Sequence, residues 1–120
     1  MFITLNHQKL NVYSASIRFA VECYKFTRCL PVEEKFAMVS QIRRAALSIH
    51  LNIAEGSSRS SRAERRRFYE IARGSLIEID AAFDIAEELG YFSFYSKDTI
   101  GKSMSVCFNL LTGLITSHSK

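Results

Sequence analysis

The chain is poor in the residues that punctuate or staple a fold. One proline, Pro31, and five glycines in 120 residues exclude a collagen-like or low-complexity chain. Three cysteines exclude a disulfide scaffold, because Cys23, Cys29 and Cys107 leave one thiol unpaired under any scheme. No apolar run approaches the roughly 18 to 20 residues needed to span a bilayer. The opening stretch MFITLNHQKLN lacks the basic region and small-residue cleavage site of a secretory signal. These absences lead us to expect a cytoplasmic protein with no membrane partner, in a reducing compartment where buried cysteines act as small hydrophobes. What is present is the balance of an ordinary globule, 48% hydrophobic and 23% charged. At this length one core removes roughly two thirds of the unfolded chain's surface from water. Residues 1–120 therefore read as a single domain needing neither disulfide nor metal.

Four segments repeat apolar residues at spacings of three and four, and none sustains the period-two alternation of a half-buried strand. The helices are expected at about 8–29, 32–55, 62–89 and 97–116. The first carries Leu10, Tyr13, Ile17, Ala20, Tyr24 and Thr27 and stops at Leu30-Pro31. The second begins at Pro31 with Glu33 and Glu34 in its first turn. Its stripe is Phe36, Val39, Ile42, Ala46, Ile49 and Ile53, and Gly56 is placed to supply a left-handed stop. Ser61 and Glu64 form a capping box at the start of the third. Its stripe is Phe68, Ala72, Ser75, Ile79, Ala82, Ala86 and Leu89, widened by Ile71, Leu76 and Phe83, and the helix should end at Gly90. Gly74 inside it costs about 1 kcal/mol relative to Ala, which suggests a close backbone approach. The fourth, capped by Ser96, carries Ile100, Met104, Cys107, Leu111 and Leu114. Long helices joined by short loops favour an all-α, antiparallel up-down-up-down four-helix bundle with shallow left-handed crossings.

Charge is segregated along the third helix. Residues 59–73 hold Arg59, Arg62, Arg65, Arg66, Arg67 and Arg73 against Glu64 and Glu70, which accounts for the chain's whole net charge of +4. Residues 76–90 hold Glu78, Asp80, Asp84, Glu87 and Glu88 and no Lys or Arg. This order opposes the helix dipole, at roughly 0.3 to 1 kcal/mol for each charge in a terminal turn, so helix stability alone does not explain it. One reading is a solvated face in which Arg66 pairs with Glu70 or Glu64. The other is an anion-binding surface of arginine forks, helix-start N–H groups and a Ser/Arg loop. Arg62, Arg66 and Arg73 fall within about 40° of one another at 100° per residue, with Arg65 and Arg67 flanking them. Such a ridge suits phosphate backbone better than base edges, for which there are few Asn or Gln. The aromatic loop 91–95 reads either as a core plug or subunit contact, or as a stacking platform for single-stranded bases. On the second helix Gln41, Arg44, Ser48, Asn52 and Glu55 make a polar stripe beside Arg43. Asn52 and Glu55 are expected to accept from loop N–H groups or from Arg59. Arg43 and Arg44 join the basic surface if antiparallel packing brings them near Arg73.

Catalytic and metal-binding patterns are missing. His7, His50 and His118 are far apart, Cys23 and Cys29 are poorly spaced for a shared metal, and no phosphate-binding glycine pattern or Glu-x-x-His pair occurs. No catalytic residue, metal or cofactor is expected, and His50 reads as a surface or interface residue.

The stretch QIRRAALSIHLNIAEGSSRSSRAERRRFYEIARGSLIEID resembles the signature of four-helix-bundle proteins encoded by intervening sequences of bacterial 23S ribosomal RNA genes. The matching positions are Arg43, Arg44, Asn52, Glu55, Gly56, Arg59, Phe68, Gly74, Ser75, Leu76 and Glu78. The resemblance implies a bundle that assembles as a ring, commonly a homopentamer. It also implies kinship with the accessory variability determinant of diversity-generating retroelements, which binds nucleic acid and a reverse transcriptase through a basic surface. It offers no enzymatic activity to transfer. The expectation is thus a non-enzymatic homo-oligomer that binds RNA or DNA through Arg43, Arg44, Arg59, Arg62, Arg65, Arg66, Arg67 and Arg73. Asn52, Glu55, Gly56 and Gly74 form its structural motif, and a reverse transcriptase is a further partner. The competing expectation is a protein-interaction scaffold in which the basic half of the third helix docks on the acidic half of another subunit's.

Overall fold

Each of the four periodic segments becomes a helix in the computed structural model, which describes residues 2–5 and 10–119. They are α1 (Asn11–Arg28), α2 (Met38–Ser57), α3 (Arg62–Glu88) and α4 (Lys97–Ser117), with a 3-10 turn at Val32–Glu34 and no strand among the described residues. His7 and the expected first residues of helix one, 8 and 9, lie outside them. None of these helices is long and apolar enough to cross a membrane.

Pairs of touching side chains run in opposite directions along each neighbouring pair of helices. Ser16 meets His50 and Thr27 meets Arg43 between α1 and α2. Ser57 meets Tyr69, Ser48 meets Ser75 and Gln41 meets Glu78 between α2 and α3. Arg62 reaches Ser117 and Arg73 reaches Thr112 between α3 and α4. The helices therefore alternate in direction, and α4 returns to pack on α1. The core they enclose is centred on Phe19, Phe26, Ile42, Ile49, Ile53, Tyr69, Ile79, Ile100 and Leu111.

Three expectations need correction. In α1 the buried row is Val12, Ala15, Ser16, Phe19, Cys23, Phe26 and Thr27. It shares only Thr27 with the expected stripe, and Ile17 is exposed. The expected tyrosines instead sit in the seam with α2, where a polar tip can stay wet: Tyr13 lies 4.5 Å from the His50 ring and Tyr24 lies under Arg43 at 4.9 Å. α2 begins at Met38, because Pro31 holds extended backbone and the chain makes a 3-10 turn first. Phe36 falls on that detour and is 89% exposed. The carboxylate of Glu34 still meets a helix start, accepting from the Met38 N–H at 3.4 Å. In α3, Tyr69 takes the core position expected of Phe68, while Ile71 and Leu89 are exposed.

Neither Gly56 nor Gly74 has its expected role. Gly56 is a buried helical residue without a left-handed backbone. A Cβ there would lie 2.7 Å from the Phe68 Cβ and 3.2 Å from the Arg65 carbonyl oxygen, so it is Gly56 that permits close approach of α2 and α3. Gly74 faces open space. The left-handed stop is Gly90, at φ 77°. Its N–H donates to the Glu87 carbonyl at 3.0 Å and the Tyr91 N–H to the Ala86 carbonyl at 2.9 Å, the paired bonds of a Schellman ending.

The loop after Gly90 closes one end of the bundle. Phe92 stacks on Phe26 at 4.6 Å and meets Phe83 edge-on at 5.5 Å. The Tyr91 hydroxyl donates to Glu34 at 2.8 Å, and that of Tyr95 donates to Glu22. The aromatic loop is therefore a plug, with Phe94 as its one ring left outside.

Candidate nucleic-acid interface

The start of α3 concentrates donors because its cap is built from short side chains. Ser61 Oγ accepts from the Glu64 N–H at 3.0 Å, and the Glu64 carboxylate accepts from the Ser61 hydroxyl at 3.3 Å. Ser96 caps α4 in the same way, accepting from the Thr99 N–H at 3.1 Å. The capped turn sets Arg59 and Arg65 against the α2–α3 corner. Arg59 lies 5.0 Å over the Phe68 ring and pairs with Glu55 at 3.3 Å. Arg65 donates to the Arg59 carbonyl at 3.2 Å.

Arg62 and Arg73 lean the other way, onto α4, donating to the Ser117 carbonyl and, at 3.3 Å, to the Thr112 hydroxyl. Arg66 forms the expected i,i+4 ion pair with Glu70 at 3.7 Å, as in the solvated-face reading, and Arg67 is exposed with no partner among the described residues. The Nε atoms of Arg59, Arg65 and Arg66 are all buried and have no acceptor. Arg59 and Arg66 are each paired with one carboxylate, and the three Nε donors add no hydrogen bond to those pairs.

Arg43 and Arg44 do not join this cluster. Arg43 donates to the Thr27 hydroxyl at 2.8 Å and covers Tyr24, so it faces α1, whereas Arg73 faces α4. Arg44 is exposed, about 20 Å along α2 from Ser57 at 1.5 Å per residue. The polar stripe of α2 serves the α2–α3 seam. Asn52 donates back to the Ser48 carbonyl and hydroxyl at 2.9 and 3.0 Å rather than accepting from the loop, and the Ser75 hydroxyl donates to Ser48 at 3.0 Å. Glu55 does meet Arg59, as expected.

Other reactive groups are engaged in packing. The Ser16 hydroxyl donates to the Tyr13 carbonyl at 2.9 Å and lies 2.7 Å from His50 Nδ1. Ser16 is fully buried, which closes that pair to a substrate. Burial pushes the Cys107 thiol up to about 12, and burial beside Cys107 and Glu22 pushes Cys23 upward as well. No group of three potential ligands for a metal occurs among the described residues.

Sequence reasoning missed a second set of cations. Arg18, Lys25 and Lys102 border an apolar groove between α1 and α4. Only the seven-residue step from Arg18 to Lys25 is visible along the chain, and Lys102 joins them through the fold alone.

The family model described as 23S rRNA-intervening sequence protein matches residues 8–113. Among solved structures, the chain is similar to the crystal structure of a protein with unknown function from the S23 ribosomal protein family from Bacteroides thetaiotaomicron. The two are 27% identical, with a TM-score of 0.78 over 88% of this chain and 95% of that one. No curated protein matches the chain.

Proposed function

Since the chain belongs to the 23S rRNA-intervening sequence protein family, we propose that it is a non-enzymatic, homo-oligomeric bundle that binds the phosphate backbone of nucleic acid at the start of α3. The observation that carries this reading is the set of guanidinium groups that Arg59, Arg65 and Arg66 bring to the start of α3, with Nε donors that have no acceptor. These Nε atoms are themselves closed to solvent, so an anion would be met by the outer edges of the guanidinium groups, where Arg59 and Arg66 are partly exposed. Arg67 stands free beside them, and Arg62 and Arg73 extend the line about 16 Å along α3. Arg44 is a separate outlying contact, and Arg43 acts in packing. Phosphate oxygens fit forked donors without selecting a base, so affinity should depend on salt more than on sequence.

The test is fluorescence anisotropy of labelled RNA and DNA of about 20 nucleotides, titrated with the full chain between about 50 and 200 mM salt. Each neutralised phosphate contributes about 0.7 to 0.9 to the slope of log affinity on log salt, so a slope of several is expected. A variant with Arg59→Gln, Arg65→Gln, Arg66→Gln and Arg67→Gln should lose at least about tenfold in affinity at the lowest salt. Absence of binding at low salt, or equal binding by that variant, defeats the reading. The acidic half of α3 supports a compatible second role, in which opposite patches serve assembly.

A further inference from the structure

The groove between α1 and α4 measures about 470 Å³ and is lined by Ala15, Ile17, Val21 and Val106. Three of these, Ile17, Val21 and Val106, are exposed. Arg18, Lys25 and Lys102 stand around them. None of the three has an ion-pair partner among the described residues, where the pairs are Arg59 with Glu55, Arg66 with Glu70 and Lys97 with Glu87. The one carboxylate in the groove, Glu22, accepts from Tyr95. The groove is therefore apolar with a net positive border, three cations against one carboxylate.

The exposed face of α3 beside α4 is its inverse. Ile77, Ala81 and Ile85 follow one another at four-residue steps and are all exposed. Asp80, Asp84 and Glu88 repeat the same step beside them, also exposed and without a Lys or Arg partner among the described residues. At 1.5 Å per residue the apolar row spans about 12 Å, against about 10 Å from Arg18 to Lys25.

We infer that the Ile77–Ala81–Ile85 row of one copy docks in the α1–α4 groove of a second copy, with Asp80, Asp84 and Glu88 meeting Arg18, Lys25 and Lys102. The inference rests on the homo-oligomeric part of the function proposed above. It assigns the acidic half of α3 to a groove on other helices rather than to the basic half of α3. The two surfaces lie on different faces of one bundle, so the contact is head-to-tail and generates a ring where its rotation closes. The arginines from Arg59 to Arg73 stay clear of it.

Multi-angle light scattering on the full chain tests this. The wild type is expected at a multiple of 13.7 kDa. A variant carrying Asp80→Lys and Asp84→Lys, and another carrying Arg18→Glu and Lys102→Glu, should each fall to the single-chain mass with unchanged helical circular dichroism. The variant combining all four substitutions restores the charge match and should regain the wild-type mass. A wild type that is already single, a two-site variant that keeps the wild-type mass, or a four-site variant that stays single overturns the inference. RNA and DNA anisotropy on the same samples separates the two ideas. Loss of nucleic-acid binding by the Gln variant with assembly intact supports both, whereas wild-type assembly through another face leaves the arginine reading standing and removes this one.

Discussion

Replacing Gly56 or Gly74 by alanine should move stability in opposite directions. Gly74 is exposed in α3 with nothing within 4 Å of the place a methyl group would take, so Gly74→Ala gains helix propensity, about 0.8 to 1 kcal/mol, without a clash. Gly56→Ala gains the same propensity, but its methyl would meet the Phe68 Cβ at 2.7 Å, the Arg65 carbonyl at 3.2 Å and Tyr69 at 3.2 Å. The first two cannot swing aside by changing a rotamer, so α2 and α3 must move apart. Overpacking costs typically about 1 to 3 kcal/mol, and this geometry belongs near the upper end. The net expectation is a loss of roughly 1 to 2 kcal/mol for Gly56→Ala. At roughly 3 to 6 °C per kcal/mol for a chain of this size, calorimetry should place the two variants about 10 °C apart on either side of the wild type. Equal shifts, or a stabilised Gly56→Ala, would refute the reasoning. A destabilised Gly74→Ala would mean that the space beside it is not open.

The remaining expectations concern thiols and pH, alongside the binding and assembly experiments described above. Of three free thiols only Cys29 is exposed, so an aromatic disulfide reagent at about pH 8 should label one equivalent quickly and the other two only on unfolding. Two or more fast equivalents would contradict the packing of α1 on α4. Burial and the bond to Glu22 raise the Tyr95 phenol, and the bond to Glu34 raises that of Tyr91. A raised folded value favours the neutral phenol in the fold. Its contribution is full below the ordinary tyrosine value of about 10 and is lost as pH climbs through the folded value. Unfolding followed from about pH 8 to 12 should show a fall in stability beginning near pH 10, made shallower by Tyr95→Phe; an unchanged profile would argue against the bond.

Much of this architecture is readable along the chain, and the places where it is not have a common cause. The start and stop of α3 are legible because Ser61, Glu64 and Gly90 act on backbone groups within a few residues of themselves. The buried side of α1 is not, since apolar residues occupy two adjacent rows and only the opposing helices decide that Phe19 and Phe26 go in while Ile17 stays out. Gly56 and Gly74 have similar helical surroundings in sequence, and the difference between them is the presence of Phe68 across a helix pair. The arginine cluster is visible as composition, but its division between the α2–α3 corner and α4 is not. Arg62 and Arg73 find acceptors at Ser117 and Thr112, too distant in sequence for any spacing rule. The same limit hides the border formed by Arg18, Lys25 and Lys102.

The aromatic plug makes the two ends of the bundle chemically unequal. At one end, rings from α1, α3 and the last loop interlock, and two tyrosine hydroxyls tie that loop back to Glu22 and Glu34. At the other, Arg59 over the Phe68 ring and Tyr69 beside His118 are accompanied by single bonds from Arg62 and Arg65 to carbonyl oxygens. The two carbonyl bonds exchange with water more readily than interlocked rings do. A polyanion settling on the first turns of α3 would compete with those carbonyls for Arg62 and Arg65, while the plug at the far end still holds the four helices in register.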